Sequence, residues 1–208
     1  MRQNLIKGVM NNRQQKLFAF IFSVCFVFLI SINTMAQQEN KPTTQPQATI
    51  QPTPTTPQAN PKDVESMDAI LAAVYDVISG PAGKKRDWDR FRSLFQPGAR
   101  LIPVAKLKEG DFTTRVLTVE DYITRANPFM EKEGFFEKEI ARKVETFGHI
   151  THVFSAYESK HKAEDEKPFA RGINSIQLFY DGKRWWVMTI YWDGETPEQP
   201  IPQKYLKN

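Results

Sequence analysis

The spacing of apolar residues changes near Gly134, and this change constrains the fold more than any other feature of the sequence. Before Gly134, apolar residues recur every three or four positions, as on one face of an amphipathic helix. After it they alternate at every second position, as in strands with one buried face. A chain that places its helices first and its strands afterwards is expected to fold as an α+β domain.

Three helices are predicted before this point, because residues that cap or break helices bound each of them. Asn60-Pro61, Asp87 and the capping box that begins at Thr118 favour helix starts. Gly-Pro, Pro-Gly and Asn-Pro pairs follow, and we expect Asn127-Pro128 to end or kink the third helix. The predicted helices cover residues 61–79, 87–96 and 119–127.

Four long antiparallel strands are predicted after Gly134, and two short ones before the third helix. Asp181-Gly182 is a typical hairpin turn, and Gly148 is interpreted as a bulge. The expected architecture is one curved antiparallel sheet whose concave face packs on three N-terminal helices. The predicted strands are 100–105, 114–117, 136–147, 150–158, 170–180 and 183–193.

Residues 1–36 have the form of a secretory signal: four basic and no acidic residues, an apolar run from Leu17 to Ile32, and a small-residue end at Ala36. A spanning helix needs roughly 20 apolar residues, so the shorter run favours cleavage. The protein is therefore expected to be exported, to the periplasm or the extracellular space, with anchoring by an uncleaved N-terminal helix as the alternative. Cys25, the only cysteine, would leave with the signal, which excludes disulfides in the mature chain.

Residues 37–61 are rich in Pro, Thr and Gln and are predicted to form a disordered linker to a domain at 62–208, with an extended tail from about residue 194.

The 28 basic residues exceed the 24 acidic ones only because of the four in the signal, so the mature chain carries 24 of each. The basic cluster at 84–92 also contains Asp87 and Asp89 and is interpreted as a solvated helix start. No nucleic-acid partner, and no membrane contact after cleavage, is expected.

Three segments of the strand region, 147–158, 169–178 and 181–185, carry a recognisable pattern. They resemble the nuclear transport factor 2-like superfamily, in particular its bacterial polyketide-cyclase-like branch, over about residues 64–195. The resemblance implies a cone-shaped half-barrel with a pocket between the sheet and the helices, and a homodimer through the outer face of the sheet. The superfamily includes isomerases, dehydratases, cyclases, ligand binders and dimerisation modules, so the resemblance implies no single function.

His152 and Tyr157 are the candidate catalytic residues. A histidine titrates near pH 6.5 and needs little tuning to transfer protons. The alternative is that His152 only makes a hydrogen bond within the sheet. His149, His152 and His161 do not have the spacing of a metal site, since an offset of three residues on a strand points two side chains to opposite faces. No metal and no cofactor are expected.

Polar residues interrupt the predicted strand 170–180, where Val and Ile would be the usual choice. Buried polar groups need partners, and a ligand would supply them. Alternatively, Asn174 and Ser175 bridge the sheet to a helix, and Arg171 pairs with Glu145 or Glu158. The predicted ligand-binding set is His152, Tyr157, Arg171, Asn174, Ser175 and Trp192.

Two further patterns concern the surface. Glu137, Glu139 and Glu145 alternate with basic residues, and we interpret them as solvated.

In the last strand, large apolar residues occupy both of the alternating sets of side chains. A regular strand therefore leaves one set on the outer face, where a partner subunit would cover it. The tail is expected to lie along its own domain, with engagement of a partner as the alternative.

These observations leave three functional hypotheses. The first is that the domain binds a small, largely apolar molecule in the cone pocket. The second is a general acid/base enzyme of the isomerase, dehydratase or cyclase type. The third is a dimerisation or protein-interaction module without a working pocket.

Overall fold

The computed structural model describes residues 56–108 and 110–207. The predicted signal, its cleavage site, Cys25 and most of the predicted linker lie outside these residues. Within them, no helix is long and apolar enough to cross a membrane.

The described part of the chain contains four α-helices where three were predicted, and a short 3-10 helix at Gln203–Tyr205. The first predicted helix is divided because Ser66 caps a new helix by accepting a hydrogen bond from the amide of Ala69 at 3.0 Å. The predicted capping box at Thr118 is present, but the helix that it starts continues through Pro128. Ile123 and Met130 are buried on either side of Pro128, and their packing outweighs the lost backbone hydrogen bond. The helices are α1 (Pro61–Val64), α2 (Met67–Ile78), α3 (Trp88–Ser93) and α4 (Val119–Glu133).

Six strands form one open sheet in the order β2-β1-β6-β5-β4-β3. The α+β prediction is confirmed, with one correction: β1 runs parallel to β6, so the sheet is mixed rather than wholly antiparallel. β1 also begins at Phe95 and continues through Pro97-Gly98, which were predicted to follow a helix. The strands are β1 (Phe95–Lys106), β2 (Phe112–Thr114), β3 (Phe136–Phe147), β4 (Ile150–Lys160), β5 (Ala170–Tyr180) and β6 (Trp185–Gly194).

Two irregularities in strand register decide which side chains face the helices. Ile140 is an extra residue of β3 opposite β4, and Met188 is an extra residue of β6 opposite β5. Each reverses the alternation of faces along its strand. Gly148, the predicted bulge, instead lies in the β3–β4 turn with a φ of 56°.

The face of the sheet that contacts the helices, here called the inner face, carries the core. Val153, Ile176, Leu178 and Val187 are at most 1% exposed and belong to one cluster with the apolar residues of α2. Because of the irregularity at Met188, Trp185, Val187, Ile190 and Trp192 all lie on this face. The premise that β6 leaves one complete set of large side chains outside is therefore wrong.

The basic cluster at 84–92 is only partly solvated. Arg86 is buried, and its guanidinium donates hydrogen bonds to the carbonyl oxygens of Ile78 at 2.8 Å and Gly80 at 2.6 Å. Helix C-termini carry partial negative charge, so a buried arginine after α2 compensates the carbonyls that the helix leaves free. The interpretation as a solvated helix start is wrong for Arg86.

Candidate functional site

An internal pocket of about 200 Å³ lies between the inner face of the sheet and helices α2 and α4. Glu137, Tyr157, Asn174 and Tyr122 contribute polar groups to its wall. The remaining wall is apolar or aromatic, formed by Val74, Ile78, Phe91, Leu101, Met130, Phe135, Ile176, Ile190 and Trp192. A pocket with this lining suits an apolar molecule with few polar groups.

The bulge at Ile140 places Glu137 in this pocket. Glu137 pairs with Ser159 on β4, whose side chain is buried on the inner face. Beyond the bulge the alternation is reversed, so Glu145 faces outward and lies opposite His152. The interpretation of these glutamates as one solvated surface is therefore wrong for Glu137, and also for Glu139, which lies on the inner face and accepts a hydrogen bond from Ser155.

Glu137 is the titratable group of the pocket whose pKa is brought close to neutral pH. Burial raises the pKa of its carboxyl group to about 7. Two hydrogen bonds oppose this shift without cancelling it: Ser159 Oγ donates to Oε2 at 2.8 Å, and Asn174 Nδ2 donates to Oε1 at 3.3 Å. Near neutral pH both protonation states are populated, so the group can accept or donate a proton.

Tyr122 and Tyr157 bring two hydroxyl groups to the same pocket. Burial raises the pKa of both phenols, and the nearby charge of Glu137 raises them further. Gly172 is required opposite Tyr157, since a Cβ atom there would lie 2.6 Å from Tyr157 Oη. Among the described residues, none forms a hydrogen bond with either hydroxyl, so water or a ligand must satisfy them.

A hydrogen-bond network fixes the orientation of Asn174. Its Nδ2 atom donates to Tyr75 Oη on α2 at 3.1 Å, and Tyr75 Oη lies 2.8 Å from Ser155 Oγ. Ser155 Oγ donates in turn to Glu139 Oε2. Asn174 thus bridges the sheet to a helix, as one alternative expected, and it also lines the pocket.

The predicted ligand-binding residues divide between the two faces of the sheet. Tyr157, Asn174 and Trp192 line the internal pocket. His152 and Ser175 lie on the outer face, where His152 Nε2 is 3.0 Å from Ser175 Oγ.

Arg171 also lies on the outer face. It pairs with Glu195, at 3.2 Å between Nη1 and Oε2, and not with Glu145 or Glu158. Within the described part of the chain, no group of three or more His, Cys, Asp or Glu residues is placed to hold a metal ion.

Glu137 and Tyr122 were missing from the predicted set. Tyr122 lies on the apolar face of the predicted third helix, which offered a signal for its burial. No comparable signal exists for Glu137, because the extra residue that turns it inward is defined only by the pairing of β3 with β4.

Comparison with known proteins gives matches among solved structures alone. No protein-family model matches the sequence, and neither does any curated protein. The structural matches include a protein of unknown function from Silicibacter pomeroyi that is called NTF-2 like, with 12% identity and a TM-score of 0.42. It is matched over 63% of this chain and 94% of its own. Solved structures that are called NTF2-like are thus among those that this chain resembles, over about two thirds of its length.

Two further matches have other names. A proposed ketosteroid isomerase from Parabacteroides distasonis has 14% identity and a TM-score of 0.43, over 69% of this chain and 99% of its own. A proposed calcium/calmodulin-dependent kinase II association domain from Exiguobacterium sibiricum has 12% identity and a TM-score of 0.44, over 63% of this chain and 92% of its own. At such identities the likeness concerns the fold alone.

Proposed function

We propose that the domain binds a small, largely apolar molecule in the internal pocket. The observation that carries this proposal is an apolar cavity that is lined by Glu137 and by the hydroxyls of Tyr122 and Tyr157, for which no hydrogen-bond partner exists among the described residues. An engineered cavity of about 150 Å³ holds benzene, so a pocket of about 200 Å³ suits a molecule of roughly one ring. Its one polar group would bond to Glu137 and the tyrosines.

Phenol and toluene test this proposal, because they have nearly the same shape and differ in one hydroxyl group. Ligand-observed NMR with the signal-free protein should show that both bind and that phenol binds more tightly. In Tyr157→Phe and Glu137→Gln the advantage of phenol should shrink, since those variants remove its partners. Tyr180→Phe, at the end of β5 and outside the pocket, is the matched control and should leave the advantage of phenol unchanged.

Native mass spectrometry of protein purified without denaturation would identify a retained ligand directly. A domain that acts only through its surface would bind neither probe, and that result would favour the interaction-module alternative.

General acid/base catalysis is the second candidate function. Its specific support is Glu137, a carboxyl group whose pKa of about 7 is suited to proton transfer near neutral pH. The hydroxyls of Tyr122 and Tyr157 would stabilise negative charge that develops on a substrate oxygen. In this arrangement Glu137 takes the role of proton acceptor that was expected of His152, which lies on the outer face.

Hydrogen–deuterium exchange at the carbons next to the carbonyl of cyclopentanone tests catalysis without a known substrate. The protein should accelerate this exchange, and Glu137→Gln should slow it by about 100-fold or more. His152→Ala is the control and should exchange at the wild-type rate. Exchange no faster than in buffer would oppose catalysis and leave ligand binding as the working function.

The site of action is proposed to be outside the cytoplasmic membrane, on the basis of residues 1–36. Cell fractionation and N-terminal sequencing of the mature chain test this. A chain that begins at Gln37 supports export with cleavage. A membrane-bound chain that retains residues 17–32 supports the anchored alternative.

A further inference from the structure

A second cavity, of about 410 Å³, lies on the outer face of the sheet, opposite the internal pocket. Its floor includes outward-facing side chains of four strands, among them Phe154, Ile173 and Tyr191. Trp192 lines this cavity as well as the internal pocket. The C-terminal tail, residues 195–205, forms its roof with Ile201 and Tyr205. None of the functions proposed above uses this cavity.

The tail is fixed on both sides of the cavity. On one side, Glu195 Oε1 accepts a hydrogen bond from the Ile201 amide at 2.8 Å, while Oε2 pairs with Arg171. On the other, the Tyr205 ring packs against Phe154 with the ring centres 4.9 Å apart. Pro200 and Pro202 restrict the backbone between these anchors, so the tail spans the space instead of collapsing into it.

The charges of the cavity wall have one sign. Asp193 and Glu195 line it, and no Lys or Arg does among the described residues. Glu195 is compensated by Arg171, but Asp193 forms no ion pair within the described part of the chain. Asp193 Oδ2 has only the amide of Gln199 as a side-chain partner, at 3.5 Å, the limit of a hydrogen bond.

Aromatic rings complete a site for a cation. Phe154, Tyr191 and Tyr205 present three rings to the cavity, and aromatic faces attract cations within about 6 Å of the ring centre. Lys204 illustrates this chemistry outside the cavity wall, with its ammonium 4.7 Å from the centre of the Tyr205 ring. The apolar floor would bury the body of the ligand, and Asp193 would meet its charge.

We propose that this outer cavity binds an apolar molecule that carries an ammonium-type cation. Benzyltrimethylammonium is the probe, and neopentylbenzene, which replaces the nitrogen by carbon, is its uncharged isostere. NMR titration of the ¹⁵N-labelled, signal-free protein should show saturable amide shifts at Ile173, Tyr191 and Ile201. The cation should bind more tightly than the isostere by up to about fivefold, which is the upper end of the range for one partly exposed charge pair.

Asp193→Asn should weaken cation binding by about the same factor and leave the isostere unaffected. Glu198→Gln is the matched control, because it removes one negative charge from an exposed tail residue that does not line the cavity. A chain that ends at Glu198 lacks the roof and should lose binding even if Asp193→Asn fails to fold. Glu137→Gln, in the internal pocket, should bind the cation like the wild type and so separates this site from the first.

Three results would overturn the proposal: no saturable binding, equal affinity for the cation and its isostere, or amide shifts confined to the internal pocket. A fourth would assign the outer face to a second copy of the chain. In that case the solution mass doubles, and the same amides are protected without any probe.

Discussion

Ile173 and Ile176 lie three residues apart on β5 and are covered in different ways. Ile176 is 1% exposed and packs in the core against the helices, whereas Ile173 is half-buried beneath the tail. The inner face is covered by helices whose apolar residues share one buried cluster with those of the sheet. The outer face is covered in part by the C-terminal tail, which was predicted to be extended but forms a 3-10 helix at Gln203–Tyr205. Each face has a cavity, but only the inner one is built into the core.

The largest expected effect is the difference in the free energy of unfolding that is lost when the same substitution, Ile→Ala, is made on each face of the sheet. Ile176→Ala should lower the free energy of unfolding by about 2 to 5 kcal/mol, because it leaves a cavity in a packed core. Ile173→Ala should lower it by only about 1 kcal/mol, since the side chain is half exposed and the tail can adjust. Urea denaturation of both variants measures the difference. Equal losses would mean that the tail is as integral to the fold as the helices.

The second prediction concerns Glu137 and pH. Its pKa is raised to about 7 in the folded state, so between about pH 4.5 and 7 the unfolded chain releases a proton that the folded protein keeps. Stability should therefore fall as pH rises through this window, by up to about 3 kcal/mol, and remain constant above it. Glu137→Gln should remove this dependence.

Glu164→Gln is the control, since it removes a carboxylate from an exposed residue in the loop between β4 and β5. Its stability should follow the wild-type pH profile in denaturation experiments at pH 4.5, 6 and 8. If the stability of Glu137→Gln also depends on pH as in the wild type, the carboxyl group of Glu137 does not have a raised pKa. Water then hydrates this group and fills the internal pocket.

The difference between the faces also explains what the sequence could predict. β3 and β5 have their predicted bounds, 136–147 and 170–180, because alternation within a strand is a local signal. The extra residues Ile140 and Met188 were not predictable, since a bulge depends on the partner strand. One residue reverses the face of everything beyond it, which is why the candidate site was found only in part.

The third prediction tests how firmly the tail is held. Glu195→Ala removes the acceptor of the Ile201 amide and the partner of Arg171. The local opening free energy should fall by about 1 kcal/mol, so the Ile201 amide should exchange with deuterium about fivefold faster. Amides of Val153 and Ile176 should exchange as in the wild type. Glu198→Ala, also in the tail, is the control and should change the exchange rate of none of these three amides. If Glu195→Ala speeds exchange at Val153 and Ile176 as well, the tail stabilises the whole sheet.

The smallest expected effect concerns self-association through the outer face. The apolar area left for a second copy is smaller than regular alternation in β6 implied. Ile190 and Trp192 face the helices, and the guanidinium of Arg184 covers Trp186, with its carbon 3.5 Å from the ring centre. The tail covers Phe154. Exposed apolar side chains remain at Met188, Tyr191, Phe147 and Ile150.

A homodimer through these side chains stays a prediction, and it should be weak. Burying each would contribute about 1.5 to 3 kcal/mol, from which association costs of at least about 4 kcal/mol must be subtracted. Sedimentation equilibrium of residues 37–208 should therefore show a mass that rises from monomer towards dimer between about 1 and 100 µM. Met188→Lys should keep the protein monomeric, while Leu107→Lys, an equally exposed change at the end of β1, should not. A monomer mass throughout the range would mean that the tail alone covers the outer face.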